Sequence, residues 1–295
     1  MHISITGDLG SGKSTIAKEL CKELGYQFLS TGSIQRELAR KQGMNTLEFN
    51  KYTDQNLHID DYIDQHLKDI NQGTEPYVLD SRLAWFFVPS SFKVFLLTFD
   101  EVAAKRILQD KNRVGEPDAA SVRQKIADTK ERRRIENNRF EKNYGAKFDI
   151  YENFDLVVDT SFATVAQLTE LILTSYHAWQ QKNPYVKIWL SPLRVYPSKE
   201  LSASRFKIHP LVNSSNPPDF RQLPVIEMFR KGEYFFIHRG YKSWVTAIKN
   251  QLPLLPLKLI NKTNFSLTAS KEIQQISAWE KALNFNYFTY PKAIS

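Results

Sequence analysis

Residues 7 to 14 read Gly7-Asp8-Leu9-Gly10-Ser11-Gly12-Lys13-Ser14, a glycine-rich loop set between two segments of different periodicity. Before it, His2-Ile3-Ser4-Ile5-Thr6 is a short β-branched run that suits a buried strand. After it, Ile16, Ala17, Leu20, Cys21 and Leu24 fall on one helical face and Gly25 supplies a stop. Strand, glycine loop and helix together are the context that gives G-x-x-x-x-G-K-[ST] its meaning. Glycines let backbone N–H groups turn inward around phosphate oxygens, helped by the helix N-terminus. Lys13 is expected to reach the β- and γ-phosphates of ATP and the Ser14 hydroxyl to ligate Mg²⁺. Gly7, Asp8, Leu9, Gly10, Ser11, Gly12, Lys13, Ser14 and Thr15 form the expected ATP-binding set.

The chain has 295 residues, enough for one large or two medium domains. It lacks an apolar run of about 18 residues, so no transmembrane helix is expected. The first expected strand lies at the start of the sequence, so no signal peptide is expected, and Cys21, the single cysteine, has no partner for an internal disulfide. Cys21 reads as a packing residue, and a cytoplasmic location is expected. Charge is unevenly spread. Residues 1–182 carry 24 basic and 26 acidic side chains, whereas residues 183–295 carry 16 basic and 6 acidic. That asymmetry suggests two domains, 1–182 and 183–295, the second suited to a polyanionic partner.

Four further strands are expected at Tyr26–Ser30, Tyr77–Asp80, Lys93–Leu97 and Asp155–Val158. Helices are expected over Ser33–Lys41, one or two within 46–72, then Glu101–Asp110, Ala119–Asn143 and Thr164–Gln181. This alternation implies an α/β fold with a five-stranded parallel sheet covered by helices, the nucleotide sitting at the strand C-termini. Asn183-Pro184 marks the boundary, Ser198 to Pro218 reads as a long loop, and residues 270–283 as an amphipathic helix. Asp60, Asp61 and Asp64 read as a solvated helix face rather than a metal cluster.

A phosphate loop names the donor; separated cations must name the acceptor. Arg36 lies one turn into the second helix, Arg82 follows the third strand, and Arg113 falls in a loop. Arg132 and Arg139 share a face of the long helix. Arg123, Arg133 and Arg134 read as surface charges. Three groups of segments then match one family: Ile5-Thr6-Gly7 with Gly12-Lys13-Ser14-Thr15; Ser30 to Ala39 with Leu79 to Ala84; and Lys130-Glu131-Arg132, Arg139 to Gly145 and Phe154 to Thr160. Residues 1–170 resemble the cytidylate kinase family, within the P-loop nucleoside monophosphate kinases.

The resemblance implies transfer of the γ-phosphate of ATP to CMP or dCMP. It implies that Arg36 and Arg82 hold the acceptor phosphate, with Ser33 near the nucleoside. Asp80 would hold Mg²⁺ through water, beside Ser14. Arg113, Arg132 and Arg139 would close over the transferring phosphoryl with Lys13.

Residues 185–262 resemble, more faintly, the ParB/sulfiredoxin-like α+β fold. Val186–Leu193, Leu223–Phe229, Glu233–Ile237 and Leu255–Leu259 would be its strands and Tyr241–Asn250 its helix. Arg239, Lys242 and Lys249, with Tyr241 and Trp244, would then offer a surface to nucleotide or nucleic acid, while core packing is the competing expectation for Trp244 and Ile248. The alternatives to a (d)CMP kinase are therefore a nucleotide-gated regulatory or nucleic-acid-binding protein, or a P-loop kinase acting on another small acceptor such as free serine. No membrane partner is expected.

Overall fold

The computed structural model describes residues 1–55, 58–110, 121–148, 150–198, 218–232 and 234–261. The expected positions of Arg113, of most of the 198–218 loop and of the 270–283 helix lie outside the described residues. The chain divides into two compact units. Met1–Ser161 with Val165–Tyr185 forms the first, and the second takes Phe162–Thr164 and the chain from Val186 onward.

In the first unit the chain runs β1 (Ile3–Gly7), α1 (Lys13–Leu24), β2 (Gln27–Ser30), α2 (Thr31–Lys41), α3 (Thr46–Gln55), α4 (His58–Gln72) and β3 (Tyr77–Asp80). It continues through α5 (Ala84–Phe87), β4 (Phe92–Leu97), α6 (Asp100–Gln109), α7 (Val122–Tyr144), β5 (Leu156–Asp159) and α8 (Val165–Gln180). The strands lie in the order β2-β3-β1-β4-β5, and each neighbouring pair runs parallel. Near-continuous apolar strands suit such a sheet, because helices cover both of its faces. Ile3, Ile5, Val78, Leu79, Val94, Leu96, Leu156 and Val158 are completely buried. Ser4, polar in the same strand, is tolerated because its hydroxyl lies 2.8 Å from Ser91 Oγ.

Local signals set the helix ends. α1 stops at Gly25, whose φ of +69° is in the left-handed region and whose N–H donates to Cys21 O at 2.9 Å. Ser30 Oγ accepts the Ser33 N–H at the start of α2, and Ser121 Oγ accepts the Gln124 N–H at the start of α7. α4 lays Ile63, Leu67 and Ile70 against Leu79, Ala84 and Val88. Each such fully buried aliphatic side chain contributes roughly 1.5–3 kcal/mol. Asp64 departs from the solvated-face expectation. It is buried, and its carboxylate accepts the Tyr144 hydroxyl at 2.5 Å, tying α4 to α7. Cys21 is half-buried on α1, and burial raises its thiol pKa, as suits a packing residue.

The second unit contains β6 (Ile188–Leu190), β7 (Val195–Pro197), β8 (Ile226–Lys231), β9 (Tyr234–Arg239), α9 (Tyr241–Lys249) and β10 (Leu255–Leu259). Its strand order is β6-β10-β8-β9-β7. β6 and β10 are antiparallel, as are β8 and β9, while β8–β10 and β7–β9 run parallel. α9 packs on β8 and β10. Trp244 is buried in this core and donates from Nε1 to the Pro192 carbonyl at 3.0 Å, so it does not belong to a surface stacking patch. Ile248 is half-buried.

The phosphate-loop glycines differ in what they tolerate. Gly7 has φ +138°, and a Cβ there would meet the Leu96 carbonyl oxygen at 2.1 Å, whereas a Cβ on Gly12 meets open space. Gly7→Ala is therefore expected to lower unfolding free energy by about 3 kcal/mol. Gly12→Ala should cost only the left-handed strain, about 1 kcal/mol. Urea denaturation of the two variants checks the difference.

Candidate phosphotransfer site

The loop between β1 and α1 is held from behind by its carbonyls. Asp8 N–H donates to Leu96 O at 2.8 Å, which seats the loop on β4. Lys13 Nζ donates to Gly7 O at 3.2 Å and Asp8 O at 2.7 Å. Ser11 Oγ donates to Asp8 O at 2.8 Å. From outside the loop, Arg82 Nη1 reaches Gly7 O at 2.8 Å, Arg106 Nη1 reaches Gly10 O at 3.4 Å, and Thr160 Oγ1 reaches Ser11 O at 2.9 Å. Carbonyls satisfied in this way are not left to repel an anion, which is what a phosphate-binding loop requires.

The cleft has a volume of about 570 Å³ and is lined by Gly10, Gly12, Lys13, Ser14 and Thr15 from the loop and α1. Ser33 and Arg36 from α2, Asp80 and Arg82 from the end of β3, and Arg132 and Glu136 from α7 complete its polar wall. The C-termini of β1 and β3, neighbours in the sheet, thus open into one space. Asp80 is buried and accepts from both Ser14 Oγ and Ser30 Oγ, the latter at 3.2 Å. Arg36 Nη2 donates to Ser33 Oγ at 3.0 Å.

α7 is unusual. Of its 23 residues, those buried are Lys125, Thr129, Arg132, Glu136, Arg139 and Phe140. Five of the six are polar or charged, at the three- and four-residue spacing of a single helical stripe. Burying charge is costly unless it is paired, and here pairing is provided. Glu136 accepts from Arg132 Nε at 2.8 Å and lies 3.3 Å from Arg82 Nε. Arg82 Nη2 also donates to Asn137 Oδ1 at 2.6 Å, and its guanidinium lies over the Phe148 ring. Burial works to raise the Glu136 carboxyl, yet the Arg132, Arg82 and Arg139 guanidiniums hold it below the usual carboxylate range. Burial is the main influence lowering the Arg82 pKa, with Glu136 opposing it.

Arg139 is placed elsewhere. It is not among the cleft-lining side chains. It is buried against α3, donating from Nη1 to Asn50 O at 3.1 Å and Thr53 Oγ1 at 2.6 Å. Arg132 and Arg139 share a helical stripe without sharing a site. Arg133 is not a free surface charge either: its Nη2 lies 3.3 Å from Asp8 Oδ1, whose other oxygen accepts the Thr98 N–H. Arg134 and Arg123 are exposed, as expected, and Arg134 pairs with Glu131.

Sequence reasoning missed Glu136, Arg106 and Thr160. Only the i, i+4 spacing of Arg132 and Glu136 carried a signal. Arg106 and Thr160 act by reaching the back of the loop from α6 and from the end of β5, which no local pattern announces.

Two outcomes check this arrangement. Thr160→Val removes the donor to Ser11 O and should cost about 1–3 kcal/mol in urea denaturation. A carboxyl held below its unfolded pKa of about 4.3 contributes stability fully present above that value and lost as pH falls through the folded one. Glu136→Gln should therefore be less stable than the parent at pH 7, with the gap narrowing in denaturation curves taken below about pH 4.

The model of the cytidylate kinase-like family matches residues 2–162. A cytidylate kinase from Archaeoglobus fulgidus is 33% identical over 174 residues, covering 59% of this chain and 93% of that protein. One from Pyrobaculum calidifontis is 35% identical, covering 61% of this chain and 97% of that protein. An S-adenosylmethionine-dependent nucleotide dehydratase from Lacinutrix mariniflava is 33% identical over 187 residues, which span 63% of this chain but only 37% of that protein. With more than half of its length matched by the family model, and the loop, the β3 carboxylate and the α7 stripe all within the match, the chain belongs to the cytidylate kinase-like family.

Proposed function

We propose that the first unit is an ATP-dependent nucleoside monophosphate kinase, with CMP or dCMP as the favoured acceptor. The observation that carries this reading is the meeting, in one cleft, of the phosphate loop with Asp80 and with cations from three separate elements, Arg36, Arg82 and Arg132. A donor site alone would not need cations on α2 and α7. In the proposed reaction an acceptor phosphate oxygen attacks the γ-phosphorus, a new P–O bond forms, and the bond to the β-phosphate oxygen breaks to release ADP. The acceptor is already an anion, so positioning and charge stabilisation supply most of the acceleration.

Lys13, which donates to the loop carbonyls Gly7 O and Asp8 O, is assigned to the donor phosphates. Arg36 and Arg82 are assigned to the acceptor phosphate with Ser33 toward the nucleoside, and Arg132 to the transferring group. Ser14 Oγ and Asp80 are hard oxygen donors in direct contact, a set that fits Mg²⁺. When bound, that ion supplies charge neutralisation at the phosphates. We assign Arg139 to joining α3 to α7 rather than to the transferring phosphoryl.

For the second unit, we propose the ParB-like reading with a polyanion as ligand. It is supported by the agreement of β6, β8, β9, α9 and β10 with the expected segments, and by the +10 charge of residues 183–295. Arg239 and Lys258 are exposed there on either side of Glu227.

ADP release measured with CMP, dCMP, UMP, AMP and serine should be fastest with CMP or dCMP. Lys13→Ala should abolish it, and Arg36→Ala should raise acceptor KM by at least about tenfold. No turnover with any nucleoside monophosphate would refute the kinase reading. Binding of single-stranded nucleic acid should weaken steeply with salt and fall further in the Arg239→Glu/Lys258→Glu double variant. Salt-independent or absent binding would refute the polyanion reading.

A further inference from the structure

We propose that Glu136 is a positioning residue for phosphoryl transfer, an internal anion that holds the Arg82 and Arg132 guanidiniums together on the cleft wall before substrate binds, orienting Arg132 by a hydrogen bond and compensating the charge of Arg82. The inference rests on the phosphotransfer reading given above and extends it to a residue that carries no phosphate itself.

Three observations lead to it. First, two like charges face one cleft from different elements, the end of β3 and the middle of α7, and their side chains are only 14% and 9% exposed. Without an anion between them, these guanidiniums would repel each other in a poorly solvated place. Second, Glu136 approaches both through Nε, at 2.8 Å for Arg132 and 3.3 Å for Arg82. The Arg132 contact is a hydrogen bond that fixes the plane of that guanidinium, whereas the Arg82 contact is an ion pair without a hydrogen bond, the Arg82 plane being set by its terminal nitrogens on Gly7 O and Asn137 Oδ1. Third, Arg82 is the same side chain that donates to Gly7 O. Glu136 therefore acts on both halves of the cleft: on the loop through Arg82, and on the α7 wall through Arg132.

The α7 stripe gives this a further reason. A buried Glu with one exposed arginine neighbour would be a structural ion pair. One carboxylate between two arginines leaves the group with a net positive charge, which a phosphate can complete. Charged groups preset in this way do not reorganise when charge develops in the transition state. An apolar residue at position 136 would leave the two guanidiniums uncompensated, and a surface ion pair would not orient Arg132.

The experiment compares Glu136→Gln, Glu136→Asp and, as a control on the exposed face of the same helix, Arg134→Gln. Each full-length variant is assayed for kcat and KM with ATP and CMP, and for binding of inorganic pyrophosphate by calorimetry. Glu136→Gln keeps the shape and removes the charge. It should lose kcat by on the order of 10²-fold, while pyrophosphate binds as tightly as in the parent or more tightly, because an internal competitor for the guanidiniums is gone. Glu136→Asp keeps the charge at shorter reach and should lose kcat by only about tenfold. Arg134→Gln should match the parent.

A purely structural role would lower pyrophosphate affinity and turnover together, and that result overturns the proposal. So does a Glu136→Gln kcat within about threefold of the parent. Should Glu136→Gln fail to fold, Glu136→Asp decides alone, and parental kcat in that variant overturns the proposal. Failure of the parent itself to turn over any nucleoside monophosphate refutes the kinase reading. The pyrophosphate comparison then still judges whether Glu136 and phosphate compete for the same two arginines.

Discussion

The first unit depends on the way the carbonyls of the phosphate loop are tied down. A loop that presents N–H groups to an anion must send its carbonyls somewhere, and buried carbonyls left unpaired are costly. Here Lys13 and Ser11 satisfy the Gly7 and Asp8 carbonyls from within the loop, while Arg82, just after β3, adds a second donor to Gly7 O and Arg106 and Thr160 reach Gly10 O and Ser11 O from α6 and the end of β5. Three sheet-spaced elements must be in place before the loop has its shape. The parallel order β3-β1-β4-β5 brings them there, which is why a short glycine sequence near the start of the chain needs residues up to position 160.

The same economy governs α7. Its inward stripe is polar, so the helix gains little from hydrophobic burial and is held by ion pairs and hydrogen bonds to its neighbours. Arg132 and Glu136 face the cleft, Arg139 binds α3, Arg133 reaches Asp8 and Tyr144 reaches Asp64. One helix thereby touches the donor loop, the β3 end and the helices that follow α2. Breaking one partner of such a network leaves a buried charge uncompensated, the most damaging kind of single change.

Most secondary structure was legible from the sequence because apolar periodicity and glycine stops agree with the fold. β3 spans the expected Tyr77–Asp80, α2 begins two residues earlier than expected, and α7 runs Val122–Tyr144 in place of Ala119–Asn143. The four-residue helix at Ala84–Phe87 was not foreseen, since an apolar run of that length has no readable period. Trp244 was legible as a core residue by its spacing. Asp64 and Arg133 were not legible as buried or paired groups, because a charged side chain on a helix looks the same in sequence whether it meets water or a partner.

The loop, its lysine and the serine that follows it were determined by the sequence alone, since strand, glycines and helix dipole act over a dozen contiguous residues. Which arginines serve that loop was decided only by the tertiary structure. Arg132 and Arg139 are equivalent on the helix, seven residues apart, yet one faces the cleft and the other α3. The difference comes from where α7 lies along β3 and α3, a matter of packing between distant segments. Glu136 acquires its place in the same way: between Arg82 and Arg132 it is an anion in a cationic wall, a role that depends on contacts between residues 54 positions apart in the chain.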